Sequence, residues 1–285
     1  VPKVAIVADS IACLPQQLVD RYGLHVVAPY IYFDGKAFRD GVDIEPSEAY
    51  QLLREAPDLF RTSGPTPLDY VETYRKAGRG ADAILCITLS SKVSSTYNSA
   101  LAARQQISQE MPHTPIEVLD SRICTGAEGF VVTAAAEALS KGEDLQGALR
   151  AAEEVREKVD LIFVLDTVKH AYRTGRIPKF AAQVGSWLEV RPVITWKDGA
   201  AHLKCMTRNH EKGVNILVDA MSKAVGNRKV HVAVHHADCP EQGQRLKERI
   251  CREFDCAEIW LTEFSPIMGY STGGGTLGVA YYARD

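Results

Sequence analysis

An α/β fold in two units is predicted for this chain of 285 residues on three observations. Apolar strand-like runs alternate with helical patterns three times in the first half, the order of a parallel sheet with crossover helices. Two Asp-Gly pairs, Asp34-Gly35 and Asp198-Gly199, sit between strand-like runs and signal hairpins. The second half mixes adjacent strands with strands separated by helices, the pattern of an α+β unit. The expected division is an N-terminal α/β domain over 1–158, with a β insertion at about 28–60, and a C-terminal α+β domain over 159–285.

Each element has its own signal. Val4–Ala8 reads as a buried strand ending at Asp9-Ser10, and Pro15 then opens a helix over Gln16–Asp20. Around Asp34-Gly35, Tyr-Ile-Tyr-Phe and Lys-Ala-Phe form the two arms of a hairpin. Thr66 and Pro67 start a short helix as N-cap and first helical residue. Ala81–Leu89 is a strand ending in Ser90-Ser91, followed by a helix from about Thr96 to Gln109. Ile116–Leu119 ends in Asp120-Ser121 and feeds a helix over Thr125–Ser140. Leu145, Ala148, Leu149, Ala152, Val155 and Val159 recur at helical spacing, an amphipathic helix that closes the first unit. In the second, Leu161–Leu165 is a strand, and Pro192–Trp196 with His202–Met206 form a hairpin. A helix over His210–Val225 is capped by Asn209. Strand Val230–His235, a helix after Pro240, and strands Ala257–Leu261 and Thr276–Tyr282 follow.

Composition excludes several classes. Thirty-three basic against thirty-six acidic residues give a formal charge of −3, so no basic stripe for nucleic acid is expected. Seven cysteines form no C-x-x-C pair, which argues against structural zinc and for reduced thiols in a cytoplasmic protein. The opening apolar run is too short for a signal-peptide core, and no apolar stretch approaches the length of a membrane span. Membrane contact is expected to be transient at most.

The stretch GYSTGGGTLG, residues 269–278, satisfies two catalytic signatures at once. Read as G-x-S-x-G it lacks a following helix and any later histidine, so a hydrolase elbow fails. Read as G-x-G-x-x-G it has neither the helix nor the downstream acid of a dinucleotide site. What remains is a glycine-rich loop that permits unusual backbone angles or close approach. A G-x-x-x-x-G-K-[ST] phosphate loop is also missing. His235-His236, at a strand end, is the best residual catalytic pair, and a structural role is the better reading of it.

Ser10, Ser91, Ser94, Ser95 and Ser121 stand at or just past predicted strand ends. Ligands of open α/β sheets bind outside those ends, where helix N-termini suit an anion. Each hydroxyl alone is better read as an N-cap. Together they point to a carboxylate or other anionic ligand.

With the segments VAIVADSIACLP, DGKAFRDGVDI, TSGPTP, SSKVSSTYNSA, DTVKHAYRTGRI, RPVITWKDG and GYSTGGGTLG in this order, the chain resembles the DegV family over essentially its whole length. That family includes the fatty-acid-binding subunits of bacterial fatty acid kinase. The resemblance implies a long-chain fatty acid buried between two domains and presented to a separate kinase subunit, which converts its carboxylate to an acyl phosphate. Thr62 and Ser94 match the family's carboxylate-contacting hydroxyls, and Arg176 of TGRI its head-group arginine. Ser63 and Ser95 beside them, and Ser271 and Thr272 of the terminal loop, complete the expected ligand-binding set.

The chain departs from the family pattern at Gly64, Ser95, Thr174 and Gly274, and Ser271 stands where a histidine is usual. No catalytic residue, metal or cofactor is expected. The alternatives are a carrier or regulator of another small lipid or carboxylic acid, and a hydrolase using the serine-rich loops.

Overall fold

The computed structural model describes residues 2–176 and 190–283. β1 (Val4–Asp9) runs into a 3-10 turn at Ser10–Ala12, then α1 (Gln16–Tyr22), β2 (His25–Val27), β3 (Tyr30–Phe33) and β4 (Lys36–Arg39). α2 (Pro46–Glu55), β5 (Arg61–Ser63), α3 (Pro67–Gly78), β6 (Ala83–Thr88), α4 (Thr96–Ile107), β7 (Ile116–Asp120), α5 (Thr125–Ser140) and α6 (Leu145–Lys158) follow. β2-β1-β6-β7 is a four-stranded sheet with every pair parallel. All six residues of β6 are buried, as expected of an inner strand covered by helices on both faces.

β4-β3-β5 is a separate antiparallel sheet. The β3–β4 hairpin turns at Asp34 and Gly35, both at positive φ (47° and 74°), the backbone that a two-residue hairpin turn requires. β2, α2 and β5 go beyond the predicted elements. β5 reads Arg-Thr-Ser and is a strand only because β3 offers it a partner, with Thr62 opposite Ile31. α2 carries Pro46 at its first position and buries Ala49, Tyr50 and Leu53 on one side, a signal that the sequence does hold.

β8 (Asp160–Val164), α7 (Lys169–Thr174), β9 (Arg191–Lys197), β10 (Ala200–Thr207), α8 (His210–Val225), β11 (Val230–His236), α9 (Pro240–Glu253), β12 (Cys256–Glu263), α10 (Pro266–Thr272) and β13 (Leu277–Ala283) form the second half. Its six strands lie in the order β10-β9-β8-β13-β11-β12. Only β11–β12 is parallel.

α5 joins the two halves. It is buried nearly all round, packing on β1 and β6 on one side and on β11 and β13 on the other. Phe130 stacks against Trp260 (ring centroids 4.4 Å apart) and meets Tyr282 edge-on at 5.1 Å. A helix with no polar face is what burial between two sheets requires.

Candidate ligand-binding site

The carboxyl ends of β1 and β6, the end of β5, and the strands β8, β9 and β10 surround one cavity, lined also by α10. Much of its lining is apolar, with Ile11, Leu89, Val93, Phe163, Trp196 and Met268. The space between its atoms, opening included, is about 670 Å³.

Polar groups gather from three directions. β5 supplies Thr62 and Ser63, and the start of α4 supplies Ser94 and Thr96. The last turn of α10 supplies Ser271 and Thr272. Arg176, exposed just past the left-handed cap Gly175 of α7, is the one charged side chain in the lining among the described residues. Of the predicted set, Thr62, Ser63, Ser94, Arg176, Ser271 and Thr272 are thus brought together. Ser95 is not: it is exposed at the N-cap position of α4 and lies outside the lining.

Hydrogen bonding sorts these hydroxyls. Ser94 Oγ and Thr96 Oγ1 are 2.7 Å apart and bonded to each other. Thr272 donates to the Met268 carbonyl at 3.1 Å, leaving its oxygen lone pairs to accept. Thr62 and Ser271 have no side-chain hydrogen bond among the described residues, although Ser271 is only 6% exposed. Those two hydroxyls are free to donate to a guest. Gly64 lets Ser94 and Thr96 come close: a Cβ there would lie 3.1 Å from Thr96 Oγ1 and 3.4 Å from Ser94 Oγ.

Two expectations change. The serines past the strand ends are mostly committed inside the protein. Ser10 donates to Asp40, Ser91 to Asp120, and Ser121 to the Ile123 carbonyl. Only Ser94 of the five lines the cavity.

The terminal stretch is not a loop from its first residue. Residues 269–272 are the last turn of α10. Gly273 and Gly275 take φ of 84° and 82°, and a Cβ on either would meet His170 at 2.7 Å or Asp166 at 2.9 Å. The glycines turn the chain sharply away from the cavity into β13. Sequence reading overlooked the start of this helix, Ser265 as N-cap (its Oγ accepts from Ile267 N–H at 3.2 Å) and Pro266 at the first position.

His235 is structural. It is fully buried, its Nε2 accepts from the Gly126 N–H at 3.1 Å, and its Nδ1 meets Thr262 Oγ1 at 2.8 Å. Burial, with His236 next to it, pushes its pKa down to about 3, so the ring is neutral and assigned as the Nδ1–H tautomer by its partners. Among the described residues no three His, Cys, Asp or Glu side chains converge as a metal site. No helix there is long and apolar enough to cross a membrane.

The family model for DegV matches residues 3–284. A DegV domain-containing protein of Streptomyces coelicolor is 32% identical over 283 residues, covering 99% of each chain. Another, from Caldanaerobacter subterraneus, is 31% identical over 92% of this chain and 90% of its own. Among solved structures, a fatty-acid-binding DegV family protein of Thermus thermophilus superposes with a TM-score of 0.87 at 29% identity, over 99% of this chain and 100% of that one. A DegV lipid-binding protein of Thermotoga maritima gives 0.88 at 25% identity, over 99% of both. With sequence and fold agreeing from end to end, the chain belongs to the DegV family.

Proposed function

We propose that the protein binds one long-chain fatty acid in this cavity and presents its carboxylate to a partner kinase for conversion to an acyl phosphate. The observation that carries the reading is the cavity's lining: apolar side chains, the unpaired hydroxyls of Thr62 and Ser271 and, among the described residues, one arginine. Relatives from Thermus thermophilus and Thermotoga maritima that bind fatty acid or lipid support it. Burying about 14 methylenes at roughly 0.8 kcal/mol each is worth on the order of 11 kcal/mol gross, before ordering costs. The chain supplies affinity in this way, while Arg176, Thr62, Ser94 and Ser271 fix which end is held. On this reading the N-terminal unit, 1–158, and the C-terminal unit, 159–285, close on the acyl chain from opposite sides.

Native mass spectrometry of protein expressed in bacteria tests the binding step. A co-released acid of long-chain mass, and a melting temperature raised by added fatty acid, are expected. Protein that releases no acyl species and is not stabilised by any fatty acid would sink the reading. The kinase step is tested by adding the purified partner with ATP and following loss of the bound free acid.

A further inference from the structure

Asp40, directly after β4, took no part in the predicted site, yet it ties three walls of the cavity together. It is 5% exposed. Its backbone N–H donates to the carbonyl of Pro29, a lining residue, at 2.9 Å. One carboxylate oxygen, Oδ2, receives two hydroxyls: Ser10 at 2.5 Å, next to the lining residue Ile11, and Ser265 at 2.8 Å, the N-cap of α10. No Lys, Arg or His among the described residues forms an ion pair with it. A buried carboxylate without a counter-cation is a poor source of stability, because desolvation opposes it. What it supplies is direction. Apolar packing of α10 on Phe60 is non-directional, and the Tyr50 hydroxyl bonds the Phe264 carbonyl at 2.8 Å one residue before the cap; the two hydroxyls converging on Asp40 fix Ser265 itself, where the helix starts.

We propose that Asp40 is a positioning residue for ligand binding: by fastening the turn after β1 to the start of α10, it sets Ser271 and Thr272 at the polar end of the cavity. The inference rests on the fatty-acid reading above. It assigns to Asp40 no contact with the ligand.

The test compares a long-chain fatty acid with the alcohol of the same chain length, by calorimetric titration against wild type, Asp40→Asn, Asp40→Ala and Ser265→Ala. Asparagine offers a carbonyl oxygen to both hydroxyls without the charge, so Asp40→Asn should keep the preference for acid over alcohol within about twofold of wild type. Asp40→Ala and Ser265→Ala should lose up to roughly fivefold of that preference, the whole of what the Ser271 hydrogen bond supplies. A purely structural role would lower the melting temperature and leave the acid-to-alcohol ratio where it was. If Asp40→Ala does not fold, Ser265→Ala against Asp40→Asn decides. A wild type that binds no fatty acid sinks the functional reading and this inference with it. A wild type that binds, with a folded Ser265→Ala or Asp40→Ala of unchanged preference, overturns this inference alone.

Discussion

Arg176 and Ser271 both line the polar end of the cavity, but they differ in kind. A guanidinium brings a charge of its own and can reach both carboxylate oxygens, while a serine hydroxyl donates one hydrogen bond and carries no charge. The pair of opposite charges is the stronger of the two contacts. Arg176→Ala should therefore weaken fatty-acid binding more than Ser271→Ala. We expect about 1.5 kcal/mol, the low end for a charged hydrogen bond because Arg176 is exposed, against about 0.5–1 kcal/mol for the serine. Calorimetric titration at low and moderate salt checks this, and the arginine's share should shrink as salt rises. Equal losses for the two variants would show that the head group is not held at Arg176. The same scale shows what a sequence hides. Thr62, Ser94 and Arg176 are proposed because their segments resemble a family, and what the fold adds is that they line one cavity. Ser10, Ser91 and Ser121 share their residue type and their position at strand ends, but are spent on Asp40, Asp120 and the Ile123 carbonyl. Only the fold separates a hydroxyl facing a cavity from one bonded to its own chain.

Elements with complete local signals were legible to the residue. α5 spans Thr125–Ser140 and α8 spans His210–Val225, the ranges expected, and the Asn209 cap of α8 accepts from Lys212 N–H at 3.1 Å. α10 was not legible, since five glycines from 269 onward outweigh a Ser-Pro start, and its seven residues depend on neighbours for stability. β5 is a strand by partnership alone. α3 provides a control for the functional elements. Thr66 and Asp69 form a full capping box, with the Asp69 N–H donating to Thr66 Oγ1 at 3.3 Å and the Thr66 N–H to Asp69 Oδ2 at 2.7 Å. Thr66→Ala should lower stability by about 1 kcal/mol, as loss of an N-cap does. Its effect on fatty-acid affinity should be within error, because Thr66 does not line the cavity. Parallel denaturant unfolding and titration of this variant measure both. A large affinity loss would mean that β5 and α3 move as one piece.

At the scale of the whole molecule, the helix that joins the two halves carries one member of a buried acid pair. Asp9, at the end of β1, accepts from the Ile11 N–H at 3.1 Å and the Leu89 N–H at 2.9 Å, both lining residues. Glu128 of the central helix α5 faces it, fully buried. No donor reaches either Glu128 oxygen, so the contact with Asp9 closes only when Glu128 carries a proton and donates it. Burial, then the charge of Asp9, holds the Glu128 pKa well above its ordinary 4.5. Burial likewise raises Asp9 from 3.8 to about 7, against the two backbone N–H groups. Cys13, Cys86, Cys124, Tyr70, Asp40 and Asp120 are the other titratable groups that sense the pair, and none is a cation. Above pH 4.5 the unfolded chain releases the Glu128 proton while the folded chain keeps it. The stability this group contributes is therefore complete below pH 4.5 and is lost as pH rises towards its folded pKa. His235 acts in the opposite sense, since its neutral form is favoured on folding and its contribution is lost as pH falls below 6.5 towards 3. The wild-type curve sums these with Asp9, which is raised in the same sense as Glu128 and titrates in both proteins, so the difference between two proteins singles out Glu128. Glu128→Gln cannot titrate, and its amide can donate to Asp9 as the protonated acid does. Its advantage over wild type should grow with pH from 5 to 8, at up to about 1.4 kcal/mol per pH unit. Urea unfolding of both proteins at pH 5, 6, 7 and 8 gives that difference directly. A gap that stays constant across the series, or narrows, would mean that Glu128 is ionised in the folded protein.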